Sequence, residues 1–443
     1  VLKLQIETWS IDRLVPYAGS PRSNDHAVEK MVAVIRDFGF RIPLVARSDG
    51  ELVDGHLRLK AAIALGYTEV PVLLSDDLTP DQVRAFRLLV NRSAMWATWD
   101  EELLTREIEA LMFARFDIAL TGFDQSELDK LLLSSADKGG NADALPDVPA
   151  VPVIRPGELW LLGNHRVMCG SALSSTEMAR LLGGQKATMV WTDPPYNVAY
   201  TGKAGRILND KLSEAEFEAF LFEAFTRMNE ALRPGGAIYV AHSEAGGGTT
   251  FRQTFLRAGF RFASCLVWKK QQAVLSRSDY HWQHEPVLYG WKPGAAHKWY
   301  GDRKQKTVVE ANLPGVTMQE DGTLQMLVDG KLYCVTGQNL RIVELPSTVM
   351  EVAKPAKSDM HPTTKPVALV SSMVSNSSPT GGSVLDPFGG SGSTVIACER
   401  LGRGCCTMEL DPRYAQVIVA RWQDYTGKHA VREVDGKLFD ELL

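Results

Sequence analysis

Two short segments concentrate the residues able to do chemistry. The first is Thr192-Asp193-Pro194-Pro195-Tyr196-Asn197, at the end of an apolar run from Thr188 to Thr192. Two successive prolines fix the backbone and remove two N–H donors. The Asp193 carboxylate and the Pro194 carbonyl are thereby left as a rigid pair of acceptors, with the Tyr196 ring beside them. Such a group fits a planar ring that carries an exocyclic amino group, both N–H donors held and the ring stacked. The plainer reading is a proline turn over a packed tyrosine, but an apolar strand running straight into Asp-Pro-Pro-Tyr argues for the acceptor pair. The second segment is Val384-Leu385-Asp386-Pro387-Phe388-Gly389-Gly390-Ser391-Gly392-Ser393-Thr394, an apolar strand, a glycine-rich turn and a helix start. Glycines let the chain turn sharply and let a ligand lie against bare backbone. Glu409 ends the following strand, and a carboxylate there suits a ribose diol because it accepts two hydroxyl hydrogen bonds. Turn and carboxylate together point to a nucleoside site.

Both segments need a sheet to hold them. The pattern predicts strands at Arg166–Cys169, Thr188–Thr192, Ala237–Ala241, Phe262–Trp268, Pro286–Gly290, Ser383–Asp386 and Cys405–Glu409. It predicts helices at Ser175–Leu182, Ser213–Leu232, Thr249–Ala258, Pro366–Asn376, Ser393–Leu401 and Pro412–Tyr425. This alternation implies an α/β fold, a parallel sheet with helices on both faces and ligands at the carboxyl ends of its strands. The rhythm breaks between Ala295 and Asp359, where Thr323–Val335 reads as a hairpin turning at Asp329-Gly330. An inserted region of about 270–359 is expected. Upstream, residues 1–78 read as a small α/β unit, with helices at Ala27–Phe38 and Leu57–Leu65 and strands at Pro43–Arg47, Glu51–Val53 and Val70–Leu74. Residues 79–136 read as helical, opening on Thr79 as N-cap with Pro80 in the first turn. Residues 137–156, rich in Gly, Pro, Ala and Asp, read as a linker to a domain over 157–430.

The 443 residues are 45% hydrophobic and 23% charged, which excludes a disordered, collagen-like or disulfide-scaffold chain. Apolar runs such as Ala61–Leu65 are too short to span a bilayer, and no charged leader with an apolar stretch opens the chain. A cytoplasmic protein without membrane contact is expected. The six cysteines form no Cys-x-x-Cys pair and have no His at zinc spacing, so reduced thiols and no metal are expected. Charge is uneven. The first 150 residues carry 16 basic and 24 acidic side chains, the rest 32 and 29. Residues 261–306 hold nine basic and three acidic ones, interleaved with Trp268, Tyr280, Trp282, Tyr289, Trp291, Trp299 and Tyr300. Basic groups neutralise phosphates and aromatic faces accept unstacked bases. Trp268, Lys269, Lys270, Arg277, Lys304 and Lys306 are the candidate nucleic-acid contacts; a solvated surface over core aromatics is the competing reading.

These motifs resemble the amino-methylating DNA methyltransferases that use S-adenosylmethionine. Asp193-Pro194-Pro195-Tyr196 resembles their catalytic tetrapeptide, and Asp386-Pro387-Phe388-Gly389-Gly390-Ser391-Gly392 their cofactor loop. His361-Pro362-Thr363-Thr364-Lys365-Pro366 resembles the segment that lines the methionine end of the cofactor. The catalytic motif precedes the cofactor loop, the permuted order of the β group. The resemblance covers about residues 157–427 and implies a Rossmann-like methyltransferase sheet. It implies catalysis by Asp193, Pro194, Pro195 and Tyr196. It implies cofactor contacts from Asp386, Phe388, Gly389, Gly390, Ser391, Gly392, Thr394 and Glu409, from His361, Pro362, Thr363 and Lys365, and from Ser171. At Ser171 the chain departs from the family, which often has Gly-Asp where Gly170-Ser171 stands; backbone contacts to the cofactor's adenine are expected instead. The Asp form of the tetrapeptide favours adenine N6, the product beside the methylated base being S-adenosylhomocysteine. Double-stranded DNA is the implied partner, and family members often pair as homodimers.

The N-terminal unit resembles a ParB/sulfiredoxin-type domain through Asp54-Gly55-His56-Leu57-Arg58-Leu59, Gly66-Tyr67 and Val70-Pro71-Val72. There the turn before the helix implies a nucleotide-phosphate site, although Leu57 stands where nucleotide-binding members often carry a second Arg; a scaffold or DNA-docking domain is the competing reading, and the acidity of the unit argues against a broad phosphate-binding face. Three other readings stay open: cytosine-N4 methylation, transfer to an RNA base or a protein glutamine, and a ParB-like DNA-binding module with an inactive methyltransferase half. No nuclease signature is visible, which favours a stand-alone methyltransferase over one fused to a restriction activity; the resemblance implies DNA modification of the restriction-modification kind.

Overall fold

The computed structural model describes residues 6–19, 24–93, 95–114, 116–136, 141–198, 201–202, 205–206, 208–244, 247–274, 282–301, 305–309, 316–318, 324–328, 331–335 and 364–443. It divides into two compact units, Val1–Asp124 and Gln125–Leu443.

The first unit is built on a four-stranded mixed sheet in the order Ile6–Ser10, Glu69–Leu74, Leu44–Ala46, Leu52–Asp54. Trp9, Leu44, Ala46, Leu52, Val70 and Val72 point one way from it and close a core with Leu59 and Ala62 of the helix His56–Ala64. Gly55 takes φ 102° just before that helix, a conformation that favours glycine. The helix Pro80–Ser93 opens on a reciprocal cap. The Gln82 N–H donates to Thr79 Oγ1 at 3.3 Å, and the Thr79 N–H donates to Gln82 Oε1 at 2.8 Å. The helix Glu101–Phe113 opens on Asp100, which accepts from the Glu102 and Leu103 N–H groups.

The second unit carries a ten-stranded sheet. Its order is Val308–Val309, Arg261–Val274, Trp282–Trp291, Leu232–Ala241, Ala187–Thr192, Ser383–Asp386, Gly404–Glu409, His165–Cys169, Leu159–Leu162 and Val431–Arg432. The five strands from Leu232–Ala241 to His165–Cys169 are parallel. On one face lie the helices Val367–Ser377, Ser393–Arg400 and Pro412–Thr426, burying Val370, Val374, Ile396, Ile418 and Trp422. On the other lie Ser175–Leu182, Glu214–Ala231 and Gly248–Arg257, burying Leu181, Phe217, Leu221, Phe225, Phe251 and Phe255. The alternation of apolar strand and amphipathic helix thus produces the expected covered sheet.

Three expectations change. The sheet is mixed, because Arg261–Val274 and Trp282–Trp291 pair antiparallel and the second pairs antiparallel with Leu232–Ala241. Only seven residues separate these two long strands, too few for the crossover that parallel pairing needs, and antiparallel pairing follows. The stretch over 141–156 is strapped onto the second unit rather than free. Ile154 is buried, the Val153 N–H donates to Gln416 Oε1, the Val367 N–H donates to Asp143 Oδ1, and Arg421 Nη2 donates to the Ala142 carbonyl. The helix Gln125–Ala136 also belongs to the second unit: Asp129 pairs with the fully buried Arg403, and Gln125 Nε2 donates to Thr380 Oγ1. In the inserted region Val316–Met318, Leu324–Val328 and Lys331–Val335 form an antiparallel sheet, with Val328 opposite Lys331. Thr323 and the turn pair Asp329-Gly330 lie outside the described residues. Cys169, Cys398, Cys405 and Cys406 are buried free thiols and Cys265 is half-buried.

Candidate active site

The strands ending at Thr192 and at Asp386 are parallel neighbours, Val384 beside Met189 and Leu385 beside Val190. The two motifs therefore leave the same edge of the sheet side by side, although they are far apart in sequence. They line one cavity: Asp193, Pro194, Pro195 and Tyr196 on one side; Asp386, Phe388, Gly389, Gly390, Ser391, Thr394 and Glu409 on the other; Gly170, Ser171, Thr364 and Lys365 completing the wall.

The glycine turn is tight by necessity. A Cβ on Gly389 would stand 2.4 Å from Thr407 Oγ1 and 2.9 Å from Ile418 Cδ1. Gly392, at φ 83°, leads into the helix Ser393–Arg400 with Ile418 against it, behind the cavity wall. The loop is pinned by two carboxylates, Asp386 buried and Glu409 half-buried. Asp386 accepts from the Thr394 hydroxyl at 2.6 Å and the Phe388 N–H at 3.1 Å. Glu409 accepts from the Gly390 N–H and the Asp411 N–H, both at 2.9 Å, one on each oxygen. Each Glu409 oxygen keeps a lone pair for a further donor. Burial pushes Asp386 up to about 8 and Glu409 up to about 7, against the hydrogen bonds that favour their charged forms. Ser393 Oγ donates to the Lys365 carbonyl at 2.7 Å, tying the loop to the Thr364-Lys365 segment.

On the opposite wall Asp193 sits in a cluster of charges. Its Oδ1 accepts from the Tyr196 hydroxyl and its Oδ2 from the Lys365 ammonium, each at 2.6 Å. Lys365 also pairs with Glu285 at 3.2 Å, and Glu285 pairs with Lys270. Lys365 Nζ stands 5.3 Å from the Tyr196 ring centroid, within cation–π range. Burial raises Asp193 above the usual carboxylate range, with Lys365 opposing it. Burial alone would raise Glu285 too, but Lys365 and Lys270 together pull it down to about 2. Burial would lower Lys365, yet Asp193 and Glu285 outweigh it and keep the ammonium charged. Burial, with both carboxylates beside it, pushes the Tyr196 phenol upward, so it stays neutral and donates. Behind Tyr196 the Phe251 ring meets it edge-on at 6.3 Å, and His242 stacks on Phe251 at 5.2 Å. Among the described residues no cluster of three His, Cys, Asp or Glu side chains is placed to hold a metal ion, and no helix is long and apolar enough to cross a membrane.

Residues 187–420, more than half of the chain, match the family model described as DNA methylase. The chain belongs to the DNA methylase family. Residues 102–156 of this methylase also match the model of the ParB-methyltransferase HTH domain, across the helix Gln125–Ala136 and the strapped stretch after it. The methylase is similar to the DNA adenine methyltransferase YhdJ of Escherichia coli K12, 25% identical over 260 residues, covering 58% of this chain and 81% of that protein. It is similar to the Type II methyltransferase M.HpaI of Haemophilus parainfluenzae, 25% identical over 267 residues, covering 58% and 74%. Among solved structures it aligns with the M1.HpyAVI–SAM complex at 21% identity and a TM-score of 0.35, covering 56% of this chain and 95% of that one.

Most residues expected to work together in the methylase share this cavity, but not all. His361, Pro362 and Thr363 lie outside the described residues, as do Arg277 and Lys304. Lys365 lines the cavity with its ammonium on Asp193 and Glu285, not free for a ligand's carboxylate. Ser171 contributes to the wall, with its N–H donating to Glu177 Oε2 and its hydroxyl accepting from the Leu173 N–H. The nucleic-acid contacts need correction. Trp268 is 3% exposed and packs in the core with Val287, so it offers no face to a base. Lys270 is directed to Glu285 inside the charge cluster. Lys269 is half-buried, and Lys306 borders a second cavity with Tyr289 and Trp299. Glu285 and His242 escaped the sequence reading. Glu285 lies 89 residues from Tyr196, and Lys365 lies 172 from Asp193, separations no local spacing rule spans.

Proposed function

We propose that this methylase transfers the methyl group of S-adenosylmethionine to the N6 amino group of an adenine in double-stranded DNA. The observation that carries the reading is the shared cavity, an acceptor pair on one wall and a bare glycine turn with a diol-accepting carboxylate on the other. The turn fits the nucleoside end of the cofactor. The close approach of Gly389 to Thr407 leaves room only for backbone, and Glu409 keeps acceptors for ribose hydroxyls. Asp386, Phe388, Gly390, Ser391, Thr394 and the Gly170-Ser171 backbone would complete the hold. When bound, S-adenosylmethionine supplies an electrophilic methyl group.

The chain's own residues do the rest. The target nitrogen lies inside the duplex, so the base is extruded into the cavity. Asp193 and the Pro194 carbonyl accept the two amino hydrogens and orient the nitrogen lone pair. Tyr196 offers its ring as the stacking face, braced from behind by Phe251. The proton lost by the amino nitrogen passes to Asp193, whose carboxyl is raised by burial and so accepts it more readily. Orientation and exclusion of water supply most of the acceleration. The Asp form of the tetrapeptide supports adenine over cytosine, and the basic stretch holding Lys269 and Lys306 is the proposed DNA face.

The test is nucleoside analysis by mass spectrometry of DNA from cells expressing the chain or its Asp193→Ala variant. N6-methyladenine with the native chain and none with the variant is expected. N4-methylcytosine would move the reading to cytosine. Near-normal methylation by Asp193→Ala would refute the role of the acceptor pair. No S-adenosylmethionine binding by the purified chain would leave a DNA-binding module.

A further inference from the structure

The two groups that occupy Asp193 have a common alternative partner. The Tyr196 hydroxyl, 2.6 Å from Asp193 Oδ1, is 3.3 Å from Glu285 Oε2. The Lys365 ammonium, 2.6 Å from Asp193 Oδ2, is 3.2 Å from the same Glu285 oxygen. The other oxygen of Glu285 is held by Lys270. The Lys365 side chain is 5% exposed and that of Glu285 16%, so neither has ready access to solvent. An amino group arriving at Asp193 competes with both occupants. A displaced ammonium with no acceptor at this depth would carry a heavy desolvation cost. Glu285 removes that cost, since both donors reach it by a small shift. Two carboxylates and two ammonium groups balance, so the shift changes no net charge in the cluster.

We propose that Glu285 is a positioning residue: it receives the Tyr196 hydroxyl and the Lys365 ammonium as the target base takes over Asp193. The proposal rests on the methyl-transfer reading above. It explains why a carboxylate stands on the strand Trp282–Trp291 facing the catalytic tetrapeptide, and why Lys270 is turned inward. With Lys270 on its far oxygen and Lys365 near the other, Glu285 stays ionised and ready to accept.

The experiment uses the full chain, tritiated S-adenosylmethionine and unmethylated genomic DNA, with Glu285→Gln, Tyr196→Phe and the double variant. For Glu285→Gln, kcat is expected to fall about 10- to 100-fold, the scale of a lost charge-assisted hydrogen bond. KM for DNA and the cofactor Kd should stay within about twofold. In the Tyr196→Phe background the same substitution should cost distinctly less, because only the ammonium then needs receiving. Native kcat in Glu285→Gln, or a cost unchanged by Tyr196→Phe, overturns the proposal. Cofactor binding certifies each variant as folded. If Glu285→Gln does not bind cofactor, Glu285→Asp is judged by the same criteria, since it keeps the charge but draws the carboxylate back by one methylene. Asp193→Ala run alongside separates the two claims. If it keeps turnover, the methyl-transfer reading fails; if it is inactive while Glu285→Gln is native, only the role of Glu285 fails.

Discussion

If Glu409 grips a ribose diol, cofactor binding must titrate with it. Its carboxyl, pushed up to about 7 by burial, already accepts one backbone N–H on each oxygen. Only the ionised form offers a further acceptor on both oxygens; the protonated form turns one of them into a donor. The ligand therefore selects the ionised form, and affinity falls as pH falls through about 7. One pH unit below that value, about one-tenth of the molecules are ionised and the apparent Kd rises about tenfold; one unit above, the curve flattens. Four other carboxylates line the same cavity: Asp193 is held by Lys365 and Tyr196, Asp210 by the Val198 N–H, Asp411 by Arg413, and Asp386, pushed up to about 8 by burial, adds a limb of its own at higher pH. Glu409→Gln isolates the Glu409 contribution, since it removes that titration and leaves Asp386 untouched. The assay is calorimetric titration with S-adenosylhomocysteine at constant ionic strength between about pH 5.5 and 9. The native chain should lose about a decade of affinity per pH unit below 7, and Glu409→Gln should bind more weakly with no such slope. An equal slope in both proteins would refute the assignment.

Three further outcomes follow from the geometry. Gly389→Ala forces a methyl group into Thr407 and Ile418, an overpacking that costs about 1–3 kcal/mol, read as a lower melting temperature with weakened cofactor binding; unchanged values would show the loop free to yield. Asp129→Asn strands the fully buried Arg403 guanidinium, which otherwise donates to Asp129 and, at 2.7 Å each, to the Ser378 and Leu401 carbonyls. A loss of about 3–5 kcal/mol by chemical denaturation is expected, and a loss under about 1 kcal/mol would refute the anchoring role. Burial holds His242 below its ordinary pKa, so the unfolded chain takes up a proton below about pH 6.5 that the folded chain refuses. Stability should fall as pH drops below that value, less steeply in His242→Leu; identical slopes would exclude His242 as a source of acid sensitivity.

The elements of the parallel core were legible because each strand is a short, mainly apolar run, three of them stopped by Gly170, Asp193 or Pro387, and each helix has its own stripe. The cavity was legible for a related reason. Asp193-Pro194 and the Gly389–Gly392 turn are backbone-determined devices, and such devices leave their mark in consecutive residues. What stayed hidden depends on partners distant in sequence. Glu285 stands one residue ahead of the expected strand Pro286–Gly290, and nothing near it announces Lys365 or Tyr196. Trp268 was misread because a tally of basic and aromatic residues ignores which way a strand residue points. Leu266 and Trp268 alternate with Lys269, and that period places the tryptophan inward. The stretch over 141–156 lacks periodicity, so a single buried Ile154 and a few backbone hydrogen bonds suffice to bind it where composition suggests a tether.

The adjacency of the strands ending at Thr192 and Asp386 also bears on synthesis of the chain. A ribosome delivers the tetrapeptide long before the glycine turn, and the Glu409 strand later still. Until that last portion has emerged, the half-made sheet lacks one wall of its cavity, so under the proposed methyl transfer a chain cut short there has no seat for the donor, and modification of DNA would wait on a finished fold.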